Sequence, residues 1–217
     1  MRVRVAAVAV PVLLLVFVAL YVAAALLYPG GTWEEPGRVG HSLFYNYYCD
    51  LMRPVAINGT ANPLGSQLAE VGQLVFALSL GPFFLVAPLV FEERKRLGLT
   101  VRVLGVLASL AGVGVVLFPS WKFGQLVHGI MLLTCAVPAI TALVCVMIGT
   151  WKVPLLRALA MGLVFTMLAT IGIFVRQLQL GTETSPGLAP LQRIDFMLAL
   201  MWMTLTARRS TGRHRGG

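Results

Sequence analysis

Three ionisable side chains stand where acid–base chemistry is costly: His128 several residues into an apolar run, Asp50 in a long connecting segment, and Asp195 at the start of the last apolar run. A charged or titratable group inside hydrocarbon loses its hydration, so it marks a candidate site by default. A histidine oriented by a carboxylate can act as a general base in hydrolysis or group transfer, here with Asp50 or Asp195 orienting His128. The same three, with Arg53, Asn62 and Arg193, can instead hold a polar headgroup through charge-assisted hydrogen bonds. Gln125 lies one helical turn before His128 on the same face and belongs to this set. Glu70 and Gln73 open another apolar run and Arg176 closes one, so polar groups gather toward one end of several runs.

Standard catalytic patterns are missing: there is no GxSxG elbow, HExxH, phosphate-binding Gly-rich loop or HxxxH. Outside the C-terminal tail the only histidines are His41 and His128, which rules out a three-histidine zinc site in the apolar body. A mixed His41/Asp50/His128 site is the one metal arrangement left, and neither a metal nor a cofactor is assigned. The cysteines number three, with Cys135 and Cys145 inside one apolar run and Cys49 in a connection. They form no CxxC and no disulfide framework, and read as small buried hydrophobes.

The elements that position these groups follow from composition. Apolar residues make up 58% of the 217 residues and charged ones 12%, about half the charged share of a soluble domain. The net charge of +9 is scattered over short segments between apolar runs rather than clustered on one solvated face, which argues against a nucleic-acid partner. A membrane helix needs about 20 consecutive apolar residues because hydrocarbon cannot satisfy backbone amides. Six runs meet or approach that length, at about 5–27, 69–91, 100–118, 124–148, 154–175 and 191–207. The sequence therefore predicts an all-α polytopic membrane protein, a bundle of six transmembrane helices over residues 1–207, with a long outer loop at 29–68 and a basic, disordered cytoplasmic tail at 208–217. The N-terminal run is too long for a secretory h-region and is read as an uncleaved first span.

Basic residues orient the bundle. With the N-terminus inside, Arg2, Arg4, Arg94, Lys95, Arg96, Arg102, Lys152, Arg157, Arg208, Arg209, Arg213 and Arg215 fall on the inner side, twelve of seventeen. Six of the eight acids, among them Glu34, Glu35, Asp50, Glu183 and Asp195, fall outside. The positive-inside rule thus places both termini in the cytoplasm. Tyr28, Trp33, Trp121 and Trp151 sit at span ends, where amphipathic rings prefer the headgroup layer. Ala108 with Gly112, and Ala158 with Gly162, are four apart and predict close helix contacts. Pro82, Pro88 and Pro138 predict kinks. In the outer loop, Leu43-Phe44-Tyr45-Asn46-Tyr47-Tyr48 is too aromatic for a free linker and is expected in the interface or plugging the bundle mouth.

The order of elements resembles a known group. The long outer loop carries Asp50-Leu51 and Asn62-Pro63. After it come Leu117-Phe118-Pro119 ending the third span, His128 early in the fourth, and Gly187-Leu188 leading to Gln192-Arg193-Ile194. This resembles the six-helix bacterial membrane proteins grouped as a domain of unknown function (DUF998-like), distantly similar to the DRAM/Sfk-like membrane proteins. The chain departs from that group in having Cys49 where serine is usual and Met52 where glycine is usual. The resemblance implies a six-helix bundle and a role near lipid. A weaker likeness is to alkaline-ceramidase-like intramembrane hydrolases, through Ser120 and His128, although the metal-binding C-terminal histidines of that group are missing.

The leading reading is an integral protein of the plasma membrane, lipid-associated and non-catalytic, with Asp50, Arg53, Asn62, Gln125, His128, Arg193 and Asp195 as its polar contacts. Membrane lipids are the expected partners and protein partners are left open. The alternatives are an intramembrane hydrolase or transferase acting on a lipid, and a small solute or proton transporter. The last is disfavoured because no charge lies near a span centre and no repeat is present.

Overall fold

The computed structural model describes residues 2–182, 185 and 187–213, with the side chains of 2–4, 212 and 213 outside that description. The charges expected inside on Arg2, Arg4 and Arg213 are therefore outside the described side chains, and Glu183 and Arg215 are outside the described residues altogether. The chain is helical, with α1 Arg2–Leu27, a single turn α2 Tyr48–Leu51, α3 Pro63–Val86, α4 Lys95–Leu117, α5 Ser120–Gly149, α6 Pro154–Leu180 and α7 Leu188–Arg213. Strand-like pairing is confined, among the described residues, to two isolated bridges in the 28–62 loop, Gly30 with Val39 and Val55 with Ala61.

Five of these helices are long and apolar enough to cross a membrane. The outward faces of the bundle carry large apolar side chains, such as Leu26 at 82% and Phe165 at 75% exposure, a surface that hydrocarbon can cover and water cannot. The chain is a multi-pass integral membrane protein. The sixth long helix, α7, is 26 residues long. Its apolar stretch is shortened by Arg193 and Asp195 in its first turns and by Arg208 and Arg209 near its end.

Several boundaries differ from expectation for identifiable reasons. The second long helix starts at Pro63 rather than near residue 69, because proline suits the first helical position, where no amide partner exists. It tightens into a 3-10 turn over Ala87–Phe91, at Pro88, whereas Pro82 and Pro138 lie within continuous helix. The tail expected to be disordered continues α7 as far as Arg213. The break in α5 falls at Gly124, whose φ of 83° only glycine adopts without strain.

The connections sort to two ends. At one end the 28–62 loop meets the α4–α5 corner through Cys49 and His128, and the α6–α7 corner through Tyr47 Oη, which accepts the Ser185 N–H at 3.0 Å. At the other, the Arg94 guanidinium donates to the Ile148 carbonyl at 3.3 Å and Arg157 covers the Trp151 ring at 4.9 Å. The core of this second half joins Val10, Phe83, Val101, Val146, Leu156 and Trp202. With no water to expel, packing of this kind is carried by dispersion and by small residues that let backbones approach. Ala108 and Gly112 act so in α4: a Cβ on Gly112 would lie 2.9 Å from that of Ala77 in α3. The expected pair in α6 is displaced, since Ala158 is exposed and the fully buried small residue is Ala160.

Candidate functional site

The site is built around α2, a single helical turn set inside the 28–62 loop. Successive helical residues point about 100° apart, so its four side chains go in different directions. Tyr48 stacks on Phe196 of α7 at 4.2 Å and on Tyr21 of α1 at 4.4 Å. Leu51 is buried in a small cluster with Ala24 and Tyr28. Asp50 turns into the loop itself, and Cys49 faces α5. The aromatic segment before α2 splits in function: Leu43, Phe44 and Tyr45 are exposed, while Asn46 and Tyr47 are buried and close the bundle mouth.

Asp50 is 5% exposed. Its carboxylate accepts the Tyr47 backbone N–H at 2.7 Å, Trp33 Nε1–H at 3.3 Å and Asn46 Nδ2–H at 3.5 Å. Arg53 lies with its guanidinium 5.3 Å from the Trp33 ring. Burial pushes the Asp50 carboxyl up to about 6, against the pull of those donors and of the Arg53 charge. Asn46, fully buried, fastens the loop: its Oδ1 accepts the Ser42 N–H at 2.8 Å and its Nδ2 donates to the Gly31 carbonyl at 2.8 Å. Gly31 holds φ at 86°, and a Cβ there would overlap the Asn58 backbone.

His128, 2% exposed, is oriented by the corner before α5. Pro119 prevents α4 from continuing, which leaves the Phe118 carbonyl without a helical partner, and His128 Nδ1 donates to it at 2.9 Å. A carbonyl can only accept, so Nδ1 carries the proton and Nε2 is left as an acceptor. Facing Nε2 at 3.1 Å is the thiol of Cys49, which donates to it. This corrects two expectations. The carboxylates of Asp50 and Asp195 are engaged elsewhere and a main-chain carbonyl sets the imidazole. Cys49 is also more than a packing residue, since its sulfur is hydrogen-bonded to the only histidine in the bundle interior among the described residues. The signal that could have found it was residue type, a nucleophile beside Asp50. A separation of 79 positions from His128 carries no hint of proximity.

Cys49 stands at a junction of voids. Toward the 28–62 loop, a polar vestibule of about 40 Å³ is lined by Trp33, Asp50, Arg53, Gln125, His128 and Gln192. On its inner side lies an apolar cavity of about 240 Å³, walled by Phe76, Leu132, Ala136, Leu163, Met167 and Ala199. A further apolar cavity of about 210 Å³ shares that wall and reaches Phe83, Trp202 and Met203. Gln192 and Cys49 line both the vestibule and the first apolar cavity. The Gln192 Oε1 accepts the Tyr48 N–H at 3.3 Å, and because that N–H can only donate, the amide NH₂ of Gln192 is left as a donor.

The expected site residues thus divide. Asp50, Arg53, Gln125 and His128 share the vestibule. Asp195 lines the apolar cavity instead, where its Oδ2 accepts the Thr170 hydroxyl at 2.7 Å and its Oδ1 is buried without a hydrogen-bond partner. Arg193 occupies an aromatic box: it donates to the Ala189 carbonyl and Tyr21 Oη, lies 3.4 Å from His41 Nε2 and covers the Tyr48 ring at 4.9 Å. Asn62 is structural, its Nδ2 donating to the carbonyls of Leu51 and Arg53 at the entry to α3. His41 packs edge-on against Tyr21 and Tyr28 rather than joining His128. No group of three or more His, Cys, Asp or Glu side chains among the described residues is placed to hold a metal. The chain matches no family model, no curated protein and no solved structure, so the reading of the site rests on this geometry alone.

Proposed function

We propose that the chain is a six-span protein of the plasma membrane, with both termini cytoplasmic, that holds the acyl chain of a membrane lipid in its interior with the polar head at the mouth of the outer vestibule. The observation that carries this reading is the apolar cavity directly beneath the polar vestibule. At about 240 Å³ it is larger than the roughly 150 Å³ apolar cavity that binds benzene. Along its wall of Phe76, Leu132, Ala136, Leu163 and Met167 water gains little, whereas a hydrocarbon chain recovers dispersion contacts. Asp50, Arg53 and Gln125 in the vestibule supply charge and hydrogen bonds for a headgroup.

Three features favour six spans and this orientation. The polar start of α7 is absorbed within the bundle, Arg193 by Tyr21 and Tyr48 and Asp195 by Thr170. The rest of the helix buries Trp202, Met203 and Ala207 in the core. The end carrying Arg94, Arg102 and Arg157 is the basic end, which the positive-inside rule assigns to the cytoplasm. The resemblance to bacterial six-helix membrane proteins of unknown function agrees with that architecture.

The lipid reading is tested by quantifying lipid that remains after purification in mild detergent. Wild-type protein should retain about one lipid per chain, and Ala136→Trp, which fills the apolar cavity, should retain less than a tenth of that while keeping its thermal midpoint. Equal lipid in both proteins, or none in wild type, would overturn it. Orientation is tested separately with a Glu93→Cys variant. With Cys49, Cys135 and Cys145 replaced by alanine in the same variant, a membrane-impermeant maleimide should label position 93 only after the membrane is opened, and labelling on intact cells would reverse the assignment.

A further inference from the structure

The groups at the junction of the two voids are arranged as a nucleophile, a base and an orienting group. Cys49 Sγ lies 3.1 Å from His128 Nε2, and Nδ1–H of the same ring is held 2.9 Å from the Phe118 carbonyl. That is the geometry in which an imidazole takes a proton from a thiol and a third group keeps the ring in the required tautomer. Among the described residues neither of the other two thiols, Cys135 and Cys145, is hydrogen-bonded to a histidine; Cys135 donates to the Ala108 carbonyl inside the bundle, and a carbonyl cannot take a proton from it. The surroundings of Cys49 define what could reach it. An acyl chain in the apolar cavity would bring its carboxyl end to the level where Cys49 and Gln192 line both voids. The amide NH₂ of Gln192 is available there for an oxyanion.

Resting on the lipid-holding reading above, we propose that Cys49 is an acyl-accepting nucleophile, activated by His128, that cleaves an oxygen ester of a membrane lipid. In the first step Cys49 gives its proton to His128 Nε2 and the sulfur bonds to the ester carbonyl carbon. The C–O bond then breaks, and the leaving alcohol takes that proton from Nε2. In the second step water gives a proton to Nε2 and its oxygen attacks the thioester. The C–S bond breaks, the sulfur recovers the proton, and a free fatty acid leaves. No oxidant, metal or further reactant is needed.

The test uses the full chain in nanodiscs of ether-linked phosphatidylglycerol, with p-nitrophenyl palmitate as the probe and ester-linked phosphatidylglycerol as a second arm to report whether a lipid ester is itself a donor. Wild type should release p-nitrophenol with turnover. Its intact mass should show one palmitoyl group that neutral hydroxylamine removes. Cys49→Ala should lose both signals and Cys135→Ser neither. His128→Ala should slow release by at least about 100-fold while Cys49 is still alkylated by maleimide, which separates loss of the base from loss of access. With no p-nitrophenyl ester added, free fatty acid should form in the ester-lipid nanodiscs and not in the ether-lipid ones; its absence from the ester-lipid arm would overturn the assignment of a membrane lipid as substrate. Release that persists in Cys49→Ala, or an unchanged rate in His128→Ala, would overturn the mechanism, and a stable adduct without turnover would remove its hydrolytic half. Wild type that retains lipid yet forms no adduct would sink the dyad and leave the lipid reading standing. Wild type without lipid would sink the reading on which it rests.

Discussion

Replacing Asn46 with alanine lowers the stability of the folded protein by about 3 kcal/mol or more, an expectation built from one or more kcal/mol for each buried group left without its partner. The side chain is fully buried and satisfies three groups at once. Without it the Ser42 N–H and the Gly31 carbonyl lose their partners, and the buried Asp50 carboxylate loses one of its donors. These groups belong to the loop that seats α2, so the damage should be concentrated there. Thermal unfolding in detergent will show the lowered midpoint, and limited proteolysis will show cleavage within residues 29–62 before the helices. Asn46→Asp should be worse still, because it sets a second carboxylate against Asp50. A midpoint unchanged in the alanine variant would mean that water substitutes for the amide and that the loop is held by other contacts.

The second large effect is a pair of opposed pH dependences. Burial pushes the Asp50 carboxyl from 3.8 up to about 6, so between those values the folded state binds more protons than the unfolded state. Its contribution is complete below pH 3.8 and is lost as pH rises through about 6. His41 is pushed the other way, from 6.5 down to about 4, first by burial and then by the charge of Arg193. Across that window the unfolded state binds more protons, so the His41 contribution is present above 6.5 and is lost as pH falls through about 4. Each is worth at most about 3 kcal/mol at 1.36 kcal/mol per pKa unit, and over pH 4–6 they oppose each other. Relative to wild type, the stability of Asp50→Asn should therefore rise with pH and that of His41→Gln should fall. Parallel profiles for the two variants would show that at least one of these groups titrates as it does in water.

The helices were largely legible because their cause is local. Backbone amides have no partner in hydrocarbon, so each crossing demands an uninterrupted apolar run; the runs at 5–27, 124–148 and 154–175 each lie within one long helix, and that at 100–118 overruns α4 by one residue. Errors arose where hydropathy and helix length part company. The polar ends of α7 hide its full 26 residues, and Gly65, Ser66 and Gln67 disguise the first turns of α3. The four-residue spacing of Ala158 and Gly162 points to a contact face, yet Ala160 is the buried residue, because spacing is blind to the direction a helix faces its neighbours.

The candidate site was legible in its depth and not in its pairings. By residue order Asp50, His128 and Asp195 have mutually consistent depths, and the structure gathers Asp50 and His128, with Arg53 and Gln125, around one vestibule. Arg193 and Asp195 share that level yet are drawn apart, because they sit two positions apart on one helix and so face different neighbours. Cys49 was passed over as a small hydrophobe because nothing near it in the chain is a base.

Residue order alone therefore determined that this chain belongs in a membrane, where its helices lie and at which end its ionisable groups collect, since each of these depends on solvation along a short stretch. Only the tertiary structure decided that the imidazole answers to a thiol and a main-chain carbonyl rather than to either acid. That outcome depends on a single turn of helix, Tyr48–Leu51, being seated against α5 by contacts from four separate parts of the chain, and no local preference encodes such a meeting.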